Sequence, residues 1–248
     1  MGQWIIELIT TDDGSNTLYS KQYNQNFHSV IDGALNESLT KHIIPSFKLI
    51  DLSKNINILD ICFGIGYNTF STIYYCLKNN IPTKITFYSP EFDEELINSL
   101  KDFDYPKEFN SIKHIINEVS INKYYKDEQF EINVSIGDAR DYIKNISNID
   151  IVYQDAFSSD VNKELWTKEY FSDINNILSD KALITTYSIA TPIRLSMSEN
   201  KLNIYQHILP NNRKATLSSN YEIKNESLKY IDMQKKIINN PSAKALRD

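Results

Sequence analysis

Two features of the sequence predict an α/β fold with a doubly wound, mostly parallel sheet. Short apolar runs alternate with segments of helical spacing between residues 56 and 199, as in sheets covered by helices on both faces. The first run, Ile56–Ile61, contains an acid and leads through two spaced glycines into the helical segment Tyr67–Lys78. A strand, a glycine turn and a helix in this order are typical of Rossmann-like nucleotide-binding domains.

The composition is that of a globular chain without covalent or metal cross-links. A chain of 248 residues fits one large domain and buries roughly three quarters of its unfolded surface. Cys62 and Cys76 are the only cysteines and lack zinc-ligand spacing, so we predict no metal site. Without an apolar run of membrane-spanning length or a signal-like N-terminus, we expect a cytoplasmic protein that makes no membrane contact.

The charge is unevenly distributed along the chain. The net charge is −6, but residues 1–180 hold 15 basic and 27 acidic side chains, whereas residues 181–248 hold 11 basic and 5 acidic ones. A basic C-terminal quarter on an acidic body suits a polyanionic partner docked at one end, or simply a solvated basic face. Charge alone leaves both interpretations open.

The first 50 residues are predicted to form an extension ahead of the sheet. A β-hairpin is indicated at the start of the chain. Side chains alternate between two faces from Trp4 to Leu8, residues 13–16 form a turn, and residues 17–20 form the returning strand. Residues 34–50 have helical spacing that Pro45 kinks or splits. We therefore divide the chain into an extension, residues 1–50, and a core with a basic C-terminal segment, residues 51–248.

The other strands and helices alternate after the glycine turn. Strands are predicted at residues 84–89, 130–136, 149–154, 182–187, 203–209 and 215–219. Helices are predicted at residues 111–119, 163–178 and 193–199, with room for another after residue 91. The last two strands are close enough in sequence to form an antiparallel pair.

Four acidic residues lie at the ends of four strands, namely Asp60, Glu91, Asp138 and Asp155. Ligands of a doubly wound sheet bind beyond the carboxyl ends of its strands, so we expect these acids to share one site. Any one of them is alternatively a helix N-cap. Asp60 can order the turn or bind a ligand ammonium, Glu91 is placed to accept both ribose hydroxyls, and Asp138 can accept an adenine amine.

S-adenosylmethionine fits this pattern better than a dinucleotide. A group of carboxylates attracts its cationic sulfonium, and the turn lacks the third glycine typical of sites that approach a pyrophosphate. Cys62 stands where the first glycine of the usual pattern is expected. A cysteine is tolerated at this position if its φ angle is negative.

These residues also resemble one family, the MnmC methyltransferase domain. Residues 60–68, Asp-Ile-Cys-Phe-Gly-Ile-Gly-Tyr-Asn, are similar to its Gly-Phe-Gly-x-Gly-x-Asn loop. Residues 154–167, Gln-Asp-Ala-Phe-Ser-Ser-Asp-Val-Asn-Lys-Glu-Leu-Trp-Thr, are similar to its Asp-Gly/Ala-Phe-x-Pro-x-x-Asn-Pro-x-x-Trp-Thr segment. Further matches lie at Gly33, Glu37, Tyr187, Ser188, Arg194, residues 212–216 and residues 246–248. Departures from the pattern are Cys62 for a glycine, and Ser159 and Lys163 for prolines.

The resemblance implies a methyltransferase that acts on the 5-aminomethyl group of the wobble uridine, or 2-thiouridine, in the anticodon stem-loop of tRNA. Family members are often fused to a flavin oxidoreductase, and this chain resembles the stand-alone form. A separate oxidoreductase, or the enzyme complex that installs the aminomethyl group, is then a further partner. Cofactor contacts are implied for Asp60, Phe63, Gly64, Gly66, Asn68, Glu91, Asp138 and Asp155.

Asp155 is implied as the catalytic acid–base, with Phe157 beside it. The chemistry agrees, because an aminomethyl group is largely protonated at neutral pH and only the free base attacks a methyl group. A carboxylate can hold the ammonium, accept its proton and orient the nitrogen. Phe157 either packs against a uracil ring that has left its stack or fills the core.

Substrate contacts are predicted for Glu37, Tyr187, Arg194, Arg213 and Lys214. The last three belong to a group of basic residues that either contact phosphates or are solvated surface charges: Arg194, Arg213, Lys214, Lys235, Lys236, Lys244 and Arg247. Trp166 is interpreted as packing. The four histidines lack metal or triad spacing and are interpreted as structural: His28, His42, His114 and His207.

Two other functions remain open. A spermidine-synthase-like aminopropyltransferase also uses an acid after the fourth strand of such a sheet, with a second acid for the polyamine that Asp160 could supply. A non-catalytic RNA-binding protein of the same fold is the other. Methyl transfer from labelled S-adenosylmethionine would separate a methyltransferase from the aminopropyltransferase. Calorimetry with that cofactor would separate it from the RNA-binding protein, which is favoured if the cofactor does not bind.

Overall fold

The computed structural model describes residues 6–248, so the predicted contribution of Trp4 to the first strand lies outside the described residues. The described N-terminal part forms a small antiparallel sheet of three strands, β1 (Ile6–Thr10), β2 (Asn16–Ser20) and β3 (Gln25–Asn26). The predicted hairpin is present as β1 and β2. The short strand β3 was not predicted.

A nearly continuous helical segment follows the small sheet. It consists of α1 (Ala34–Ser38), a π-helical turn (Leu39–Ile43) and α2 (Ile44–Phe47). The π-helical turn ends just before Pro45, which has no N–H to continue the α-helical hydrogen-bond ladder. The predicted helix with an interruption at Pro45 is thus confirmed, although it ends three residues early.

Nine strands of the described chain form the central sheet. In chain order they are β4 (Ile56–Ile61), β5 (Ile85–Glu91), β6 (Tyr124–Lys126), β7 (Phe130–Ile136), β8 (Ile149–Gln154), β9 (Leu178–Thr186), β10 (Asn203–Ile208), β11 (Lys214–Ser219) and β12 (Lys229–Tyr230). Their spatial order is β12-β10-β11-β9-β8-β4-β5-β7-β6, and the strands from β9 to β7 are parallel. The chain passes from β4 to β5 on one side and returns to β8 on the other, so the carboxyl end of β4 is the switch point where such sheets bind ligands.

The two edges of the sheet are antiparallel. Strand β11 lies between β9 and β10 and is antiparallel to both, which confirms the predicted pair. The edge strands β6 and β12 were not predicted, because segments of two or three residues carry no readable alternation. Strand β9 begins at Leu178, four residues earlier than predicted.

Helices cover both faces of the sheet, as predicted. They are α3 (Tyr67–Lys78), α4 (Glu94–Ser99), α5 (Lys113–Asn122), α6 (Ala139–Ile143), α7 (Lys168–Ile177), α8 (Thr191–Ser198) and α9 (Met233–Asn239), with 3₁₀ turns at Leu100–Asp102, Lys107–Ile112 and Lys163–Leu165. One core packs α3, α4 and α5 against the sheet, and a second packs α7 and α8 against the other face. Side chains of the N-terminal segment, Leu18, Ala34, Ile43 and Phe47, belong to the first core, so residues on both sides of position 50 share it.

The turn between β4 and α3 is built from left-handed residues. Gly66 has a φ of 73°, and a Cβ atom there would lie 2.4 Å from a ring carbon of Phe70, so only glycine fits. Cys62 has a φ of 60°. The condition of a negative φ, under which a cysteine is tolerated here, is not met: Cys62 adopts the conformation that a glycine would take, and an L-residue is strained in it.

This strain predicts an unusual effect of removing the Cys62 side chain. We expect Cys62→Gly to be more stable than Cys62→Ala by about 1 kcal/mol, because only glycine adopts the left-handed region without cost. Denaturant unfolding of the two variants measures the difference, and the alanine variant controls for the lost thiol. Equal or reversed stabilities would contradict the strain.

Candidate cofactor and active site

A cavity of about 730 Å³ opens at the carboxyl ends of the parallel strands. Register explains its position, since Ile61 pairs with Gln154 and Glu91 with Ile136, so the residues that follow these strands lie side by side. Ten of the residues predicted from the sequence line the cavity: Glu37, Phe63, Gly64, Asn68, Glu91, Asp138, Asp155, Phe157, Tyr187 and Arg213. Four do not line it: Asp60, Gly66, Arg194 and Lys214.

Glu91 holds the glycine turn and its own loop together. Its Oε2 accepts a hydrogen bond from Gly64 N–H at 2.7 Å, and its Oε1 accepts from Phe92 and Asp93 N–H at 2.8 and 2.9 Å. Burial raises the pKa of Glu91 against the opposing effect of these three donors. A carboxylate has about four acceptor positions, so one remains for a ligand hydroxyl.

Asp138 is both an N-cap and a cavity residue. Its Oδ1 accepts a hydrogen bond from Arg140 N–H at 2.7 Å at the start of α6. Asp138 is therefore the N-cap residue that the sequence offered as an alternative. It also lines the cavity, where its carboxylate can accept further hydrogen bonds.

Asp155 points into the cavity with its side chain 11% exposed. Its Oδ2 accepts a hydrogen bond from Asn68 Nδ2 at 3.0 Å, and its Oδ1 lies 3.6 Å from Nε2 of His42. Burial raises the pKa of Asp155, but the neighbouring His42, His28 and Asn68 outweigh it and hold the pKa below its ordinary value. The carboxylate is therefore ionised at neutral pH, as a group that binds a cation requires.

Asp60 lies behind the cavity and is fully buried. It accepts hydrogen bonds from Thr69 Oγ1 at 2.8 Å and from Asn68 Nδ2 at 3.3 Å. Burial, together with the charge of Asp155, raises its pKa to about 7. Of the two roles expected for Asp60, ordering the start of α3 matches this position, and direct contact with a ligand in the cavity does not.

An aromatic wall closes one side of the cavity. The ring of Phe157 lies 5.1 Å from those of Tyr23 and Phe27, which belong to the N-terminal segment. Trp166 is fully buried, as its interpretation as packing requires, and its Nε1 also donates to the carbonyl of Phe157 at 2.7 Å. Phe157 is thus held from both sides with its ring at the cavity.

Glu37 lies in a chain of buried charges. Lys41 pairs with Glu37 and, at 2.8 Å, with Asp32, and Asp32 pairs with Arg213 at 2.8 Å. Glu37 also accepts from Ser29 N–H at 2.6 Å. This chain of ion pairs joins the half-exposed Arg213 to the cavity wall.

The basic residues predicted to contact phosphates do not form one surface. Arg194 is only 6% exposed, and its Nε donates to Thr216 Oγ1 at 3.0 Å, so the expected phosphate contact of Arg194 is corrected to a buried structural role. Arg247 pairs with Glu169 at 2.8 Å and Lys235 with Asp232 at 3.4 Å. Lys214, Lys236 and Lys244 are exposed.

Two histidines interpreted as structural lie at the site. His28 lines the cavity, and Nδ1 of this residue lies 3.1 Å from Thr17 Oγ1. His42 is fully buried next to Asp155. No local motif could have indicated this, because His42 and Asp155 meet only through the packing of the N-terminal helical segment against the sheet.

Two further properties concern the described residues 6–248. Within this range there is no group of three or more His, Cys, Asp or Glu side chains arranged to hold a metal ion. None of the helices in it is long and apolar enough to cross a bilayer.

Comparison with known proteins defines the class. A sequence model described as S-adenosyl-L-methionine-dependent methyltransferase matches residues 106–221. MnmC2 from Aquifex aeolicus has a similar structure, with a TM-score of 0.84 and 29% identity over 99% of this chain and 80% of that one. The matched residues and the fold are those of S-adenosylmethionine-dependent methyltransferases. Within this class, the predicted resemblance to the MnmC methyltransferase domain is confirmed.

Two other comparisons are less specific. An uncharacterized protein of Methanocaldococcus jannaschii is 34% identical over 195 residues, which are 77% of this chain; the chain spans about half, 52%, of that relative. Spermidine synthase from Thermotoga maritima has a TM-score of 0.57 and 13% identity, covering 98% of this chain and 77% of that one. The latter similarity is one of fold.

The residues of the cavity fit S-adenosylmethionine. Asn68 Oδ1 is buried without a hydrogen-bond partner, so an acceptor is available for a cationic or N–H-bearing ligand. Carboxylates of Glu91, Asp138 and Asp155 line the same space, whose volume is typical of ligand sites. The individual contacts of these side chains with the cofactor remain predictions.

The raised pKa of Asp60 predicts a pH-dependent stability. The unfolded residue loses its proton near the ordinary value of 3.8 and the folded one near 7, so the folded state binds more protons between these values and loses stability as pH rises through them. We expect the stability of the wild type relative to Asp60→Asn to fall by roughly 2 kcal/mol from pH 5 to pH 8. Denaturant unfolding at both pH values measures this, with exposed Asp102→Asn as control. A constant difference would contradict the raised pKa.

Proposed function

We propose that the protein methylates the 5-aminomethyl group of the wobble uridine in tRNA, giving 5-methylaminomethyluridine. The observation that carries this proposal is the position of the Asp155 carboxylate, 11% exposed, in a cavity shared with acids suited to the cofactor. Support also comes from the similarity to MnmC2 of Aquifex aeolicus.

Cofactor binding is assigned to the end of the cavity formed by the strand termini of β4, β5 and β7. The acceptor position left on Glu91 receives a ribose hydroxyl, and Asp138 accepts from the adenine amine. Asn68 Oδ1 accepts from a donor near the amino-acid end, and Phe63 and Gly64 line the same space. When bound, S-adenosylmethionine supplies an electrophilic methyl group. The four strand-end acids now divide into three that face the ligand and Asp60, which supports Asn68 from behind.

Asp155 handles the proton of the substrate. An alkyl ammonium has a pKa of about 10, so most of the substrate arrives charged and is attracted to this carboxylate. A carboxylate oxygen of Asp155 holds the ammonium by a hydrogen bond and accepts its proton, which frees the nitrogen lone pair. Proton handling of this kind typically contributes about 10²–10⁴-fold to the rate, and orientation contributes more.

The aromatic wall receives the base. A wobble uracil must leave its stack to reach a cavity, and flipped bases are bound by stacking on aromatic rings. Phe157 packs against two rings of the N-terminal segment, Tyr23 and Phe27, and lines this space. Glu37 and Tyr187 complete the substrate side of the cavity.

Docking of tRNA is assigned to the rim next to Arg213 and Lys214. Arg213 is the last residue of the loop that joins β10 to β11, and Lys214 is the first residue of β11, at the end of the sheet where the cavity opens. Arg213 is 53% exposed although one guanidinium nitrogen is paired with Asp32. The aminomethyl group on which this reaction acts must be installed on the uridine by a preceding reaction.

No feature of the cavity favours the aminopropyltransferase alternative over methyl transfer. The acid that it requires for a polyamine, Asp160, is exposed and does not line the cavity. Similarity to spermidine synthase is limited to the fold.

The role of Asp155 is tested by substitution. We expect Asp155→Asn to bind S-adenosylmethionine within a few fold of the wild type and to lower turnover by roughly 10²–10⁴-fold, because the amide cannot accept the proton. Calorimetry and labelled methyl transfer measure the two effects. Asp160→Asn, an exposed acid on the same loop, is the control and keeps full turnover. Retained turnover in Asp155→Asn would remove its catalytic role.

Docking is tested by charge reversal at Lys214. We expect Lys214→Glu to weaken tRNA binding and to reduce the dependence of affinity on salt, because a phosphate contact is lost. Lys181→Glu is the matched control, since Lys181 is exposed near the opposite end of the sheet, in the first half of β9. Arg213 is not used because its loss also disturbs buried Asp32. Equal affinities of the two variants would place the docking surface elsewhere.

A further inference from the structure

His42 is a buried side chain that the mechanism above does not use. It lies on the π-helical turn of the N-terminal segment, fully buried, with its ring 5.4 Å from that of Tyr153. Its Nε2 lies 3.6 Å from Oδ1 of Asp155 and has no hydrogen-bond partner among the described residues. A buried ring nitrogen without a partner is costly, which makes the approach to Asp155 significant.

The other ring nitrogen of His42 pairs with a hydroxyl that can either donate or accept. His42 Nδ1 lies 2.8 Å from Thr185 Oγ1, and the same hydroxyl lies 3.5 Å from the carbonyl of Val152. We assign Nδ1 as the acceptor of the hydroxyl proton, because a proton on Nδ1 of a neutral ring would leave the lone pair of Nε2 facing the Asp155 carboxylate. A neutral His42 then carries its own proton on Nε2, facing the carboxylate of Asp155.

Asp155 is therefore approached from behind on both oxygens. Asn68 Nδ2 donates to Oδ2 at 3.0 Å, and His42 Nε2–H faces Oδ1. Two donors fixed by different elements define the plane of the carboxylate and leave its other lone pairs toward the cavity. Such an arrangement restrains the Asp155 carboxylate, which must accept a proton from the cavity side.

We propose that His42 is a positioning residue for methyl transfer, which holds the Asp155 carboxylate in its ionised and oriented state through Nε2–H. The inference rests on the proposed role of Asp155. It makes the N-terminal segment, which the sequence suggests is only an extension, a part of the active site. His42 touches neither substrate nor cofactor and acts through Asp155 alone.

Other titratable groups face this pair from every neighbouring element. His28 comes from the loop after β3, Asp60 from β4, and Tyr187 from the end of β9; the others are Cys62, Tyr153 and His207. Of these described groups and His42, it is His42 whose ring nitrogen lies within 4 Å of Oδ1 of Asp155. A shift of the pH profile on its removal therefore reports on this contact.

The test compares His42→Phe, which keeps a ring but removes the N–H, with His42→Gln, which keeps a donor. We expect His42→Phe to lower kcat by roughly 10- to 100-fold, as for a lost hydrogen bond to a charged group. Binding of S-adenosylmethionine should change by less than about threefold. The acidic limb of the kcat profile should move to higher pH because Asp155 loses a partner that favours its charged form.

His42→Gln should recover most of the lost turnover. His207→Phe is the control, because His207 is also a buried histidine with an unpartnered Nε2 and it does not line the cavity. Equal kcat values for His42→Phe and His207→Phe would mean that His42 only fills the core. The same conclusion would follow if His42→Gln did not recover kcat and the acidic limb of the kcat profile stayed in place.

A spectroscopic measurement decides the matter independently of the acceptor. Imidazole ¹⁵N NMR of the substrate-free wild type should show His42 protonated on Nε2, with a signal that shifts in Asp155→Asn. Protonation on Nδ1 alone, or no response to Asp155→Asn, would overturn the inference even if the variants fail to fold. Absence of methyl transfer to aminomethylated tRNA by the wild type would instead overturn the proposed function.

Discussion

The whole site depends on keeping the Asp155 carboxylate ionised while it is almost buried. A parallel sheet brings the ends of its strands together, and here it brings three acids into one cavity and a fourth, Asp60, directly behind it. Buried like charges repel, so one of them must become easier to protonate. The structure gives this role to Asp60, whose pKa is raised to about 7, and stabilises the charge of Asp155 with N–H donors.

Asn68 links the two carboxylates. Its amide nitrogen donates to both Asp60 and Asp155, and the amide oxygen is left free and buried. Because Asn68 is the second residue of α3, its position depends on the left-handed turn at Cys62, Gly64 and Gly66. The strained turn therefore positions the side chain that donates hydrogen bonds to both carboxylates.

The sequence predicts most of the cavity's cofactor side, because its residues follow directly after the strands that position them. The glycine turn and the strand-end acids are adjacent to their strands, and their convergence follows from the parallel topology alone. Contacts between distant segments were not readable. The pairing of His42 with Asp155, the aromatic wall from Tyr23 and Phe27, and the burial of Arg194 arise from tertiary packing that no spacing encodes. The backbone angle of Cys62 was left open by the sequence, because a cysteine gives no sign of a left-handed conformation.

The central claim is that this cavity transfers one methyl group to an aminomethyl nitrogen in tRNA. The most direct measurement is mass analysis of the wobble nucleoside after purified protein is incubated with S-adenosylmethionine and tRNA bearing 5-aminomethyluridine. The account predicts conversion of that nucleoside to one heavier by a single methyl group on the side-chain nitrogen. An unchanged nucleoside, or a methyl group on the ring or ribose, would contradict it.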